Sequence, residues 1–425
     1  MIDLNAKLKI EKLGARGEGV AQSAHGVVFT PYALPGDEIL AEVDGERGKL
    51  VEVLRPSQDR IPPFCAHYTI CGGCAVQGLR AGAYDAWKRG LLEAALANAG
   101  VAADVRPLVD AHGLGRRRAV FHARYDARGR ARVGFMQARA HDLVEIDACP
   151  LLAPALRPAL AAARAIADAL RALDKPLDIA AVATQAGLDV DIRGAGRLEF
   201  AERQALIALA QDSDLARISN HGVALIEVRQ PFLVMGAARV APPPGAFLQA
   251  TAAGEEALTR LVCEAARGAR RVADLFAGVG TFALRLAEHA EVDAVEMDGA
   301  ALAALARAAH HAAGLKRIAT QTRDLFRRPL SAAELQPFDC VVFDPPRAGA
   351  PEQARQIAAS DVARVVGVSC NPQTFARDAK ILIEGGFALE SATPVDQFRA
   401  SAHLECVGVF NRARKSKPRR SLLSR

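Results

Sequence analysis

The spacing of hydrophobic positions divides the chain into three stretches of different character. Up to about residue 57, short β-type runs alternate with glycine-bearing turns, as in Val27-Val28-Phe29-Thr30 and Ile39-Leu40-Ala41-Glu42-Val43. Short strands at regular spacing predict a small β-barrel over 1–57. Barrels of this size often bind single-stranded nucleic acid, although Phe29 and Tyr32 make a thin aromatic platform. Pro56, Pro62 and Pro63 mark a linker. A helix bearing Trp87, Leu91, Leu92 and Leu96 follows and stops near Gly100, and 151–235 reads as an Ala/Leu-rich helix leading into mixed structure, so an α+β unit is expected over 58–241. After Pro242-Pro243-Pro244-Gly245, strands predicted at 271–276, 292–296, 340–343 and 363–369 alternate with Ala-rich helices. That alternation predicts a doubly wound, mostly parallel sheet over 242–411.

Composition refines this picture. The 425 residues are 51% hydrophobic, yet no long apolar run or amino-terminal leader pattern is visible, so a soluble cytoplasmic protein is expected, with no membrane partner. Net charge is +6, but Arg412, Arg414, Lys415, Lys417, Arg419, Arg420 and Arg425 alone leave 47 basic against 48 acidic groups elsewhere. The excess therefore sits in a basic tail over 412–425, suited to phosphate contacts or to solubility.

Eight cysteines without a leader argue against a disulfide framework. Cys65, Cys71 and Cys74 form a Cys-x5-Cys-x2-Cys cluster in which Gly72-Gly73 lets the backbone fold tightly. Zinc sites favour paired Cys-x2-Cys units, whereas three thiolates plus a distant fourth suit an iron–sulfur cluster, and Cys149, followed by Pro150, is the candidate fourth ligand. Beyond the helix, Arg116-Arg117-Arg118, Arg124, Arg128, Arg130, Arg132 and Arg139 interleave with Phe121, Tyr125 and Phe135, which predicts either an RNA-facing sheet or a solvated charged face.

The chemistry is concentrated in the last stretch. Asp274-Leu275-Phe276-Ala277-Gly278-Val279-Gly280-Thr281 follows a strand, and Glu296 ends the next one, where it can take ribose hydroxyls. Without a Walker lysine this is no P-loop. With Asp344-Pro345-Pro346-Arg347 closing a third strand, the set resembles class I S-adenosylmethionine-dependent methyltransferases. An Asp-Pro-Pro edge also suits methylation of exocyclic amines, in which case Cys370 would be merely a buried cysteine. The run Val365-Val366-Gly367-Val368-Ser369 instead reads as a strand presenting Cys370 at its carboxyl edge. Carbon 5 of a pyrimidine becomes nucleophilic once a thiolate adds at carbon 6, and a base must then remove the carbon 5 proton. Glu405 is the candidate base.

Taken in order, the cysteine cluster with Cys149, Phe247-Leu248-Gln249, the glycine loop, Asp344 to Arg347, Ser369-Cys370-Asn371-Pro372-Gln373-Thr374-Phe375-Ala376-Arg377-Asp378, and Pro394-Val395-Asp396-Gln397-Phe398 through His403-Leu404-Glu405 resemble the RNA uracil-C5 methyltransferases over nearly the whole chain. The barrel resembles the TRAM domain of that family. The resemblance implies a Rossmann-like class I methyltransferase domain behind a TRAM-like barrel and a central iron–sulfur domain, with S-adenosyl-L-methionine as cofactor and RNA as partner. It further implies that Cys370 is the nucleophile, Glu405 the base, and Cys65, Cys71, Cys74 and Cys149 the ligands of a [4Fe-4S] cluster. Gln249, Phe276, Thr281, Glu296, Asp324 and Asp344 would contact the cofactor. Thr281 stands where some members have Asn, and Thr251 where Asn is frequent; both keep a polar group. The barrel and cluster together resemble enzymes acting on 23S ribosomal RNA more than those acting on transfer RNA, and a monomer is expected. A non-catalytic iron–sulfur RNA-binding protein is the reading from a different class.

Overall fold

The computed structural model of the chain describes residues 2–412, apart from 25, 139, 141 and 214. Arg139 and the basic tail beyond Arg412 lie outside the described residues. Strands β1 (Ile2–Lys9), β2 (Lys12–Leu13), β3 (Glu18–Ser23), β4 (Gly26–Pro31), β5 (Glu38–Asp44) and β6 (Arg47–Arg55) form one sheet in the order β1-β5-β6-β4-β3-β2. Strict alternation along β5 buries Ile39, Ala41 and Val43, which join Leu8, Ile10 and Val28 in a private core. Buried Asp37 closes this unit onto the linker, accepting from the Ser57 amide at 2.8 Å and the Arg60 guanidinium at 2.5 Å.

Helix α1 (Ala81–Asn98) and strand β7 (Val109–Asp110) precede a seven-stranded sheet. That sheet holds β8 (Arg118–Tyr125), β9 (Ala131–Met136), β10 (Leu143–Glu145), β11 (Leu177–Thr184), β12 (Gly187–Arg193), β13 (Leu215–Asn220) and β14 (Val223–Glu227), ordered β10-β9-β8-β11-β12-β13-β14. Helices α2 (Ala159–Ala169) and α3 (Phe200–Asp212) pack on it around Phe121, Ile166, Ile179 and Leu206. The segment holding α1 and β7, grouped with the central unit by sequence, packs elsewhere. Leu92, Ala95 and Leu96 share a core with Phe375 and Ala379 of the following domain, and β7 adds a strand to its sheet. Periodicity identified the buried face of α1 but could not name the partner that covers it.

A small hairpin, β15 (Leu233–Met235) and β16 (Ala238–Val240), leads into the last domain. There α4 (Ala252–Ala265), β17 (Arg271–Leu275), α5 (Ala283–Leu286), β18 (Glu291–Glu296), α6 (Gly299–His311), β19 (Ile318–Thr322), α7 (Ala332–Leu335), β20 (Cys340–Phe343), α8 (Pro351–Ala359), β21 (Arg364–Ser369), α9 (Pro372–Glu384), β22 (Phe387–Asp396) and β23 (Glu405–Arg412) follow in turn. The sheet order is β19-β18-β17-β20-β21-β23-β22-β7. From β19 to β21 neighbours are parallel, while β23 runs antiparallel to both β21 and β22. Strand order reverses between β17 and β20, so a crevice opens at their carboxyl ends. No helix among the described residues is long and apolar enough to cross a membrane.

Candidate active site

Strand direction explains why residues far apart in sequence meet. Asp344 follows β20 and Cys370 follows β21, both at carboxyl ends, whereas Glu405 opens the antiparallel β23. In that register Cys406 faces Ser369, so the start of β23 lies beside the end of β21. Cys370, Glu405, Asp344, Gln249, Phe276, Glu296 and Asp324 all line one cavity of about 620 Å³. Thr281, the remaining residue of the expected set, is half-buried and does not line it. Thr251 caps α4 through the Gly254 amide and donates to the Ala111 carbonyl at 2.6 Å, which commits its hydroxyl to the fold.

The turn after β17 is built for close approach. Gly280 has φ +97°, and a Cβ there would stand 2.4 Å from the Leu305 side chain of α6. Phe276 also takes a left-handed conformation, with φ 64°, and its ring lies 5.5 Å from that of Phe326 at the cavity wall. Left-handed backbone at a non-glycine residue is strained and concentrates at binding sites. Glu296 accepts from the amides of Gly278, Met297 and Asp298 at 3.0, 2.7 and 2.9 Å, so its carboxylate is fixed at the cavity rim. Asp324 is likewise fixed by the amides of Phe326 and Arg327.

Buried acids cluster around the Cys370 end of the cavity. Burial pushes the Glu405 carboxyl up to about 7, partly offset by a 3.0 Å hydrogen bond from Gln397. Asp344 is raised well above the usual carboxylate range by burial, then by the charges of Glu405 and Asp274. Asp274, wholly buried at the root of the loop, is pushed up to about 8 by burial. The Cys370 thiol rises to about 11 through burial and then through Glu405 and Asp344. Asn371 caps α9 by accepting from the Gln373 amide, while its amide and the Thr374 hydroxyl donate to the Arg347 carbonyl, tying the cysteine turn to the Asp-Pro-Pro-Arg loop. Arg347, Cys370 and His403 also line a second opening of about 1040 Å³ between the barrel, α1 and this domain. Cys370 therefore stands where two cavities meet. His403 is pushed down to about 4 by burial and by Arg347, which leaves its ring neutral.

Cys65, Cys71, Cys74 and Cys149 line one further cavity of about 390 Å³. Among the described residues, no group of three or more His, Cys, Asp or Glu side chains is placed to hold a single metal ion. The structure thus brings the four thiols to one cavity without forming a single-ion ligand set. The adjoining segment braces the active site, because the Ala75 and Val76 amides both donate to the Ala400 carbonyl, at 2.7 and 3.0 Å. Arg116 lines both this cavity and that of Cys370.

Part of the arginine-rich sheet is engaged within the protein. Arg117 is buried against Glu255 at 2.5 Å, and Arg130 and Arg132 pair with Glu145. Phe121 and Phe135 stack together, with Phe121 wholly buried, and the Tyr125 hydroxyl donates to the Ala167 carbonyl at 2.7 Å. One opposing acid, Glu145 of β10, lies in the same stretch of sequence as these arginines, while the other, Glu255 of α4, comes from the following domain. Sequence reasoning also missed Gln397, Arg116, Arg118 and Phe398 as residues at the catalytic cavity or bonded to its lining; for Gln397 the only signal was its place in the 394–398 motif.

Residues 240–414 match the tRNA (Uracil-5-)-methyltransferase family model. An RNA methyltransferase of Brucella suis is 45% identical over 409 residues, covering 96% of this chain and 98% of that one. The 23S rRNA (uracil(1939)-C(5))-methyltransferase RlmD of Chromohalobacter salexigens is 34% identical, over 95% of this chain and 89% of its own length. The fold is shared with the tRNA (uracil-54, C5)-methyltransferase of Pyrococcus abyssi, solved with S-adenosyl-L-homocysteine, at a TM-score of 0.71 and 21% identity over 95% of this chain and all of that one. With full-length relatives at this level of identity and a cysteine and a carboxylate meeting at the crevice of a class I sheet, the chain belongs to the RNA uracil-C5 methyltransferase family.

Proposed function

We propose that the protein methylates carbon 5 of a uridine in 23S ribosomal RNA, with Cys370 as nucleophile and Glu405 as base. The observation that carries this reading is that both side chains line one cavity with Gln249, Phe276, Glu296, Asp324 and Asp344, while Cys370 also faces the second opening. The ribosomal substrate is supported by the full-length relative that acts on 23S RNA. Four carboxyl groups, Glu296, Asp324, Asp344 and Glu405, line the cavity, and a cationic sulfonium donor fits that acidic lining. S-adenosylmethionine, when bound, supplies the methyl group. Gln249, Phe276, Glu296, Asp324 and Asp344 would hold it, and Thr281 would act only through the loop that shapes the cavity.

The uridine would be flipped from its stack and enter from the wider opening. Cys370, its proton lost to solvent, bonds to C6, and the C5–C6 electron pair moves toward O4. C5, made nucleophilic by the Cys370 adduct, would then accept the methyl group that the donor supplies, the donor leaving as S-adenosylhomocysteine. Glu405 accepts the C5 proton, the Cys370–C6 bond breaks, and the C5=C6 bond is restored. Cys65, Cys71, Cys74 and Cys149 would hold a [4Fe-4S] cluster, which supplies no step here and fixes the segment that braces Ala400. A multi-iron cluster is larger than one ion, so its thiolates need only surround a common space.

The test uses 23S fragments and transfer RNA carrying tritium at uracil C5. Methyl transfer and tritium release should rise together on the ribosomal fragment, and Cys370→Ala should lower both by roughly 10³-fold or more. Methyl transfer with retained tritium would sink the covalent route and favour an amine target; activity confined to transfer RNA would overturn the ribosomal assignment. Protein purified without oxygen should carry about four irons per chain, and a single zinc would refute the cluster.

A further inference from the structure

Gln397 is completely buried in the loop between β22 and β23. Its amide orientation is dictated by the backbone. Two obligatory donors, the amides of Ala250 and Thr251, point at one terminal atom from 2.8 and 3.3 Å, so that atom must be Oε1. The Nε2 group consequently faces the other way, with two hydrogens to place. One goes to Gln249 Oε1 at 2.6 Å and the other to Glu405 Oε1 at 3.0 Å. The site is moulded to this side chain, because a Cβ on Gly254 would stand 2.6 Å from Gln397 Oε1.

We propose that Gln397 is a positioning residue that locks Gln249 and Glu405 together through one carboxamide, coupling the donor cavity to the base. With its oxygen accepting from Gln397, the Gln249 side chain is oriented so that its amide N–H groups are free for a bound donor. With Oε1 held, Glu405 is fixed in place and its second oxygen is the one left to take a proton. The groups facing Glu405 are Arg118 from β8, Asp344 and Arg347 after β20, Cys370 after β21, and Cys406 and His403 on its own segment. Gln397 stands out among these contacts because it is bonded to both functional side chains.

This inference rests on Glu405 being the base and Gln249 a donor contact. The test is Gln397→Met, which keeps the volume and removes all four hydrogen bonds, with Gln397→Glu, which keeps an acceptor for the Ala250 and Thr251 amides, as a near-isosteric second variant should the first not fold. Gln397→Met should raise the pH midpoint of methyl transfer by about one unit, because the carboxylate loses a donor. It should weaken S-adenosylhomocysteine binding, read by calorimetry, by roughly tenfold. Most of kcat should return at saturating donor well above the new midpoint, which a general loosening of the fold would not allow. Folded variants with an unchanged pH midpoint and unchanged S-adenosylhomocysteine affinity would overturn the coupling. Failure of the wild-type protein to release the C5 proton would instead strike the reading on which it rests.

Discussion

At the scale of the residue, Glu405 is caught between stability and chemistry. Burial favours its protonated form, with a pKa near 7, whereas its proposed role as base requires the carboxylate. Methyl transfer should therefore rise with pH through about 7. A folded-state pKa raised above the unfolded value stabilises the protein fully below the ordinary carboxyl range, and that contribution is lost as pH rises through 7. Glu405→Gln removes the penalty and keeps an oxygen for Gln397 to bond. At pH 8 it should melt higher than wild type, by roughly 2–4 °C for each kcal/mol of relieved charge burial, while turnover is lost. At pH 5 the two proteins should melt together; an equal gain at both pH values would show that the carboxylate charge is not the cause. Asp274, raised to about 8, destabilises in the same direction and over a slightly higher pH range.

At the scale of the element, α1 is the piece whose role was least legible. Its apolar face was readable from Leu92 and Leu96, and the chemistry-bearing turns were readable because each is a local string at the end of a strand. What escaped was pairing over long separations. Lys88, wholly buried in α1, donates to Asp396 Oδ1 at 2.9 Å and to the His403 carbonyl at 2.5 Å. Tyr84 donates to Asp396 Oδ2 at 2.7 Å, and Trp87 reaches the Gly14 carbonyl of the barrel at 3.2 Å. A lysine inside a helix gives no sequence sign that its partner ends a strand some three hundred residues later. This helix therefore joins the barrel to the loop that presents Gln397, His403 and Glu405. Lys88→Met should strand the Asp396 charge in the core and cost about 3–5 kcal/mol, measurable by urea unfolding. A loss below about 1 kcal/mol would show that the pair behaves like an exposed ion pair.

At the scale of the whole molecule, three sheets converge on one thiol, and the amino-terminal sheet was legible as strands but not as a wall of the cavity that Cys370 lines. Its β2 and the turn after it place Lys12 and Arg16 on the 1040 Å³ opening that ends at Arg347, Cys370 and His403. Of the central arginines that the sequence offered for RNA, Arg117 is spent on Glu255, and Arg130 and Arg132 on Glu145. Charge facing an incoming strand is thus supplied in part by the barrel turn, some of it within the cavity that the target base would use. Phosphate contacts release counterions, so each one lost should flatten the dependence of log affinity on log salt by about 0.7–0.9. Lys12→Glu with Arg16→Glu should weaken binding of a 23S fragment across all sequences, lower the salt slope by roughly two contacts, and leave S-adenosylhomocysteine affinity unchanged, since neither residue reaches the donor cavity. Fluorescence anisotropy at several salt concentrations reads all of this directly. An unchanged slope would move the RNA path off the barrel and onto the face of the catalytic domain alone.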